Sequence, residues 1–161
     1  MQVTVSDQVR DYIVRHDTMT LSTTMKGKPW ATPVFYQVDE DLRFYFVSDV
    51  TTRHIENALH NASVALAIYD QHQAWEEIQG VQIEGHLSRV ADDDLPRVEA
   101  LYFEKFPFVE NILKGDVSGE AGKVRDGFLT AHFYVVTPEF VRLVDNTRGF
   151  AFKEEYYISL S

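Results

Sequence analysis

The apolar positions of this chain change their period several times, and each change marks an element. Behind Ser6, which suits a helix N-cap, Val9, Tyr12 and Ile13 recur at helical spacing and predict a first helix. Thr18 to Met25 mixes threonine with apolar residues and reads as a strand. Lys26-Gly27-Lys28-Pro29 is a turn signal, and Trp30 to Val38, aromatic and β-branched, reads as the next strand. After the acidic turn Asp39-Glu40-Asp41, Leu42, Phe44 and Phe46 alternate along a third strand that ends at Ser48. Connections this short predict an antiparallel meander.

The period then lengthens. Thr52 to His60 sets Ile55, Ala58 and Leu59 on one helical face, with Asn61 expected as a left-handed cap. Ser63 to Tyr69 returns to a strand, Asp70 to Glu77 is a loop, and Ile78 to Val90 is a long strand with two unlike faces. Val81, Ile83, Gly85 and Leu87 lie on one side; Gln82, Glu84, His86 and Ser88 lie on the other. Asp92-Asp93-Asp94 and Leu95-Pro96 open a third helix: carboxylates suit its positive end, and proline fits its first turn. Phe106-Pro107 ends or kinks it. Gly115 to Gly127, rich in glycine and poor in apolar residues, is expected as a mobile loop. Phe128 to Thr137 and Phe140 to Asp145 are expected as two strands broken by Pro138, before a last apolar segment from Phe150 to Ile158. About seven strands and three helices, mostly joined by short turns, favour a mainly β (α+β) fold, a closed or nearly closed antiparallel barrel.

Composition narrows the function classes. At 161 residues, 45% of them hydrophobic, the chain is expected to form one domain across 1–161. Lys plus Arg total 15 against 25 Asp plus Glu, a formal charge of −10, so nucleic acid and anionic membrane surfaces are poor partners. There is no cysteine, which excludes disulfides, thiolate nucleophiles and Cys-ligated metals. No apolar run approaches the roughly 20 residues that span a bilayer, and residues 1–7 lack the blocks of a signal peptide. A cytoplasmic protein is expected.

Three stretches carry candidate chemistry. In Val47-Ser48-Asp49-Val50-Thr51-Thr52-Arg53-His54 a strand ends and a helix begins. Free backbone N–H groups and the helix dipole meet the hydroxyls of Ser48, Thr51 and Thr52 there, with Arg53 and His54 adjacent. That set suits a phosphate, although an ordinary threonine N-cap with a surface arginine has the same sequence. In Trp30-Ala31-Thr32-Pro33-Val34-Phe35-Tyr36, Pro33 cannot donate to a sheet ladder and marks an edge, where free backbone groups suit a planar heterocycle; an aromatic core strand reads the same way. The polar face around Gln79 and Gln82 meets solvent, a partner or a ligand. The six histidines (His16, His54, His60, His72, His86, His132) show no metal-site spacing, and no Gly-x-Ser-x-Gly elbow, Walker A loop or Gly-x-Gly-x-x-Gly fingerprint occurs.

In order and spacing, Ala31-Thr32-Pro33-Val34-Phe35-Tyr36, Phe44-Tyr45-Phe46-Val47-Ser48 through Thr52-Arg53-His54-Ile55-Glu56-Asn57, Asn61-Ala62-Ser63-Val64-Ala65-Leu66 and Val81-Gln82-Ile83-Glu84-Gly85 resemble the FMN-binding split β-barrel family, which includes pyridoxamine 5′-phosphate oxidase. The resemblance covers roughly residues 5 to 110; the tail from Val144 to Phe150 looks more like a poorly characterised bacterial branch. It implies a six- to seven-stranded antiparallel split β-barrel with about three flanking helices, a homodimer with FMN at the subunit interface, and an oxidoreductase acting on a small molecule. By position, Ser48, Arg53 and His54 would hold the phosphate with Thr52 nearby. Thr32, Pro33, Val34, Phe35 and Tyr36 would line the flavin ring, largely through backbone. Gln82, or Gln79 beside it, would face the ring, and Asn146, Arg148 and Lys153 would close the site from the partner. His54 stands where many relatives carry lysine. Arg148-Gly149-Phe150 stands where the oxidase has Arg-x-His, which argues against pyridoxamine phosphate as substrate. No acid–base pair is evident; His54, His132 and Tyr36 are candidates for proton handling. The other readings are a non-catalytic binding module for flavin, deazaflavin or haem, and a cofactor-free dimeric barrel.

Overall fold

The computed structural model describes residues 4–71, 73–114 and 118–158. His72 and the first three residues of the expected 115–127 loop lie outside that range, as do residues 1–3 at the amino end. Among the described residues the order is α1 (Asp7–Arg15), β1 (Thr18–Met25), β2 (Lys28–Phe35), β3 (Gln37–Val38), β4 (Phe44–Asp49), α2 (Arg53–His60), β5 (Ser63–Tyr69), β6 (Gln79–Arg89), α3 (Leu95–Lys105), α4 (Pro107–Lys114), α5 (Gly119–Leu129), β7 (Ala131–Asp145) and β8 (Lys153–Tyr157). The strands form one antiparallel sheet in the order β2-β1-β5-β6-β7-β4-β3, with β8 also on β7. The sheet curls, so its terminal strands approach each other across a split. This is the split-barrel architecture expected, with α4 and α5 added to the three helices read from periodicity.

Local chemistry sets the elements. The Ser6 hydroxyl accepts from the Val9 amide and caps α1. Lys26 and Gly27, both at positive φ, make a two-residue hairpin turn, so Lys28 and Pro29 belong to β2 rather than to the turn. Asp39 accepts from the amides of Asp41 and Arg43 and closes the acidic turn. Leu42 then adopts a left-handed conformation (φ 57°), so the strand expected from Leu42 begins at Phe44. Asn61 is extended (φ −144°), not left-handed; its side chain bonds Thr24 instead.

The two strands expected around Pro138 are one strand of 15 residues. Gly85 pairs with Pro138 while Glu84 pairs with Phe140, so Glu139 is the extra residue of a bulge and the missing proline N–H falls where the ladder is already broken. The bulge demands glycine opposite it: a Cβ on Gly85 would stand 2.5 Å from the Thr137 carbonyl oxygen. The glycine-rich stretch expected as a loop is helical from Gly119 to Leu129.

The inner face of the sheet is apolar. Met19, Leu21, Phe44, Phe46, Leu66, Ile68, Val81, Ile83, Val136, Val141 and Leu143 fill it, and Val9, Tyr12 and Ile13 of α1 plug one end. Outside β4 and the first half of β7, α3 packs on Tyr45, Phe133 and Val135. Apart from Phe106, which meets Phe35 at the α3–α4 junction, the outer face of β2, β1, β5, β6 and the second half of β7 carries no helix among the described residues.

Candidate functional site

Two features bear on the residues singled out above. The first is the turn from β4 into α2. Ser48 is buried at the end of β4. Its Oγ lies 2.7 Å from His54 Nε2 and 3.1 Å from Thr52 Oγ1, which is itself 3.2 Å from that nitrogen. The Thr52 hydroxyl donates to the Asp49 carbonyl (2.8 Å) and therefore does not cap α2; no side chain does. Thr51 donates its hydroxyl and its amide to the Asp49 carboxylate, which also accepts from Thr130. These bonds hold the Asp49 carboxyl below the usual carboxylate range. Burial pushes the His54 imidazole down, toward the neutral form.

The hydroxyls of the turn are thus satisfied within it, and His54 points inward, its ring 6.4 Å from that of Phe46. Arg53 does the opposite. It is exposed, and its guanidinium lies over the Trp30 ring at 4.1 Å from the centroid. The donors left at this turn are therefore the uncapped first turn of α2 and the Arg53 guanidinium, both beside β2.

The second feature is the uncovered outer face. Pro33 pairs with Thr20, Thr20 with Ala67, Ala67 with Gln82, and Gln82 with Arg142. Registered residues share a face, so Pro33 and Gln82 stand in one row, three strand spacings or about 14 Å apart. Phe35, half exposed, shares that outer face and meets Phe106 edge-on. Thr32 and Val34 turn the other way, with Val34 packed against the core. Tyr36 is fully buried and its hydroxyl donates to the Ile13 carbonyl, so only its backbone is available to a ligand. The Gln82 Oε1 accepts a long bond from Arg142 (3.4 Å).

Two of the three tail residues singled out, Asn146 and Arg148, are tied up within the chain. Asn146 donates to the Trp75 carbonyl and accepts from the Ala151 amide. Arg148 pairs with Glu154 and covers the Phe152 ring. Lys153 is exposed. Sequence reasoning missed the Trp30–Arg53 stack and the inward turn of His54, because both depend on which elements meet, and nothing in the spacing signals that.

Comparison with known proteins agrees with the architecture. The family model described as pyridoxamine 5′-phosphate oxidase matches residues 5–145. A "UPF0306 protein" of Klebsiella pneumoniae (strain 342) is 26% identical over 143 residues, 88% of this chain and 86% of that one. A haem binding protein from Mycobacterium smegmatis superposes with a TM-score of 0.71 at 19% identity, over 96% of this chain and 59% of that one. A FAD-binding protein from Mesorhizobium loti superposes with a TM-score of 0.64 at 15% identity, over 86% and 94%. At these identities the two structures show a shared fold. Among the described residues no group of His, Asp and Glu is placed to hold a metal ion, and no helix is long and apolar enough to cross a membrane.

Proposed function

This chain belongs to the pyridoxamine 5′-phosphate oxidase family, and from that premise we propose that it is an FMN-dependent oxidoreductase, a cytoplasmic homodimer acting on a small organic molecule. The observation that carries the reading is the pair made by Arg53 and the uncapped start of α2, side by side at the split. A phosphate needs preorganised donors and a permanent cation, and the geometry offers both. Trp30 holds the guanidinium in place without using its N–H groups, which leaves them for oxygen. Ser48, Thr52 and His54 would support this turn from beneath, and their mutual bonds fix its shape.

The ring would lie along the edge strand β2, where Thr32 to Tyr36 supply backbone groups and Pro33 and Phe35 an apolar outer surface. Gln82, in the same outer row, would face such a ring from the same copy or from a second copy seated on the uncovered outer face. The flavin, when bound, supplies the redox chemistry by accepting and returning electron pairs. The chain's own part is to hold it, orient it and keep water from its ring.

The M. smegmatis and M. loti neighbours, named for haem and FAD, set the competing reading, a carrier of another planar cofactor. Titration with FMN, followed by flavin fluorescence, separates the two. The wild-type chain should bind FMN, and Arg53→Ala should weaken binding about tenfold to a hundredfold, the loss of one charge-assisted bond of roughly 1.5–3 kcal/mol. Unchanged affinity removes Arg53 from the site, and tight haem binding without FMN binding selects the carrier.

A further inference from the structure

One hydrogen decides how Ser48, Thr52 and His54 face a ligand. The Thr52 hydroxyl gives its own hydrogen to the Asp49 carbonyl (2.8 Å), so toward Ser48 and His54 its oxygen only accepts. Ser48 Oγ and His54 Nε2, 2.7 Å apart, share what remains. With no hydrogen on Nε2, the ring takes the Ser48 hydrogen. The contacts of Thr52 Oγ1 with Ser48 Oγ (3.1 Å) and with Nε2 (3.2 Å) then hold none. With a hydrogen on Nε2, the ring donates to Ser48 Oγ, and the Ser48 hydrogen is released to the Thr52 oxygen or to an incoming acceptor. Ser48 is 8% exposed and its bond to the ring is only partly buried, so the turn is not sealed over it.

A protonated ring carries the Nε2 hydrogen without exception, whereas a neutral ring can hold its one hydrogen on Nδ1 instead. Burial favours the neutral ring. A phosphate beside the turn acts the other way, because an opposite charge nearby favours the protonated form. The charged and titratable groups on the surrounding elements are few. Asp49 ends β4, and its carboxylate is engaged by Thr51 and Thr130. On β7, His132 stands opposite Ser48 in the ladder and Tyr134 stacks on Phe46. On α2 itself, Arg53 and Glu56 are exposed. Thr23 and Trp30, which meet α2 from β1 and β2, are uncharged. Among the described residues no carboxylate bonds the His54 ring.

We propose that His54 is a positioning residue for the flavin phosphate: as the phosphate binds, Nε2 takes up a proton and the Ser48 hydroxyl turns from the ring to the ligand. The proton comes from solvent, and the Ser48 hydrogen stays on its own oxygen. The inference rests on the flavin reading and adds to it a donor that is supplied only when the anion arrives.

Calorimetric titration with FMN, in two buffers of unlike ionisation heat, reads the proton directly. At about pH 7, the wild-type chain should take up more proton per FMN bound than His54→Gln, which keeps an N–H donor and cannot titrate. From about pH 5 to about pH 8, wild-type affinity relative to His54→Gln should fall about tenfold, the low end of what a bond to a charged group supplies. Taking the ratio removes the titration of the FMN phosphate itself. Ser48→Ala, a second variant, should weaken FMN about two- to tenfold at the acid end and little at the alkaline end. Riboflavin, which lacks the phosphate, should bind all three proteins alike. Equal proton uptake by wild type and His54→Gln, a flat affinity ratio, or the same losses with riboflavin as with FMN would overturn the proposal and leave the flavin reading standing. Absence of FMN binding at every pH would bring down both.

Discussion

Ser48 Oγ and His54 Nε2 lie 2.7 Å apart, so the hydroxyl and the imidazole that the sequence offers to an anion are bonded to each other. Burial holds the imidazole below its ordinary value, and the unfolded chain therefore takes up the proton first. The neutral ring costs nothing above about pH 6.5. Stability falls as pH drops from there toward the lower folded value, because the unfolded state then binds more protons. His54→Phe should flatten that part of the curve. Melting temperatures of both proteins between about pH 5 and 8 check this, and parallel curves would exclude His54 as the source.

Trp30 and Arg53 give a second expectation. A guanidinium over an exposed aromatic ring gains about 0.5–1 kcal/mol. Trp30→Ala should leave the charge in place and release it from its position, weakening FMN about two- to fivefold. The same titration used for Arg53→Ala reads the effect. A loss as large as that of Arg53→Ala would mean the indole itself touches the ligand.

Gly85→Ala tests the bulge. The added methyl would meet the Thr137 carbonyl oxygen at 2.5 Å and the Val136 Cγ1 at 2.9 Å, both inside the sheet. Overpacking of this kind costs about 1–3 kcal/mol, and more where backbone must move. Urea unfolding should place Gly85→Ala at least that far below wild type, whereas Gly127→Ala, in α5, with no atom within 4 Å of the new methyl, should unfold at or above the wild-type midpoint.

Asp70 is one of the carboxyls that contribute to acid stability. The His16 N–H bonded to Asp70 is the largest influence holding its carboxyl below the usual range, opposed by burial and helped by Tyr12 and Arg15. A depressed carboxyl contributes stability above its unfolded value, about pH 3.9, and loses it as pH falls through the lower folded value. Asp70→Asn should lower stability at neutral pH and make acid unfolding less steep. Circular dichroism from about pH 2, roughly two units below the unfolded value, up to neutral pH measures both.

Much of the sheet is legible in the sequence because alternation and turn chemistry agree there. Ser6, the Lys26-Gly27 turn and the Asp39 turn each place an element through bonds within a few residues. The elements misread were those decided by distant partners. Glycine's low helix propensity argues against Gly119–Leu129 as a helix, yet it packs over β4 and β7 and is one. Pro138 argues for a break, and Gly85, more than fifty residues earlier, supplies the bulge that removes it. At the site the same limit holds. The turn and its residues are visible in sequence, but the choice that sends His54 inward and Arg53 outward is made by Phe46, Ser48 and Trp30 in three dimensions.

The sheet order has a consequence for how the chain matures during synthesis. Strands β2, β1, β5 and β6 form one ribbon and β3 with β4 another, and in hydrogen bonding β7 joins them. Its residues, 131–145, are synthesised after both ribbons. Until then the inner faces of both ribbons stay open to water and to other nascent chains. Truncations ending before Ala131 should therefore need a chaperone that the chain of residues 1–161 can do without.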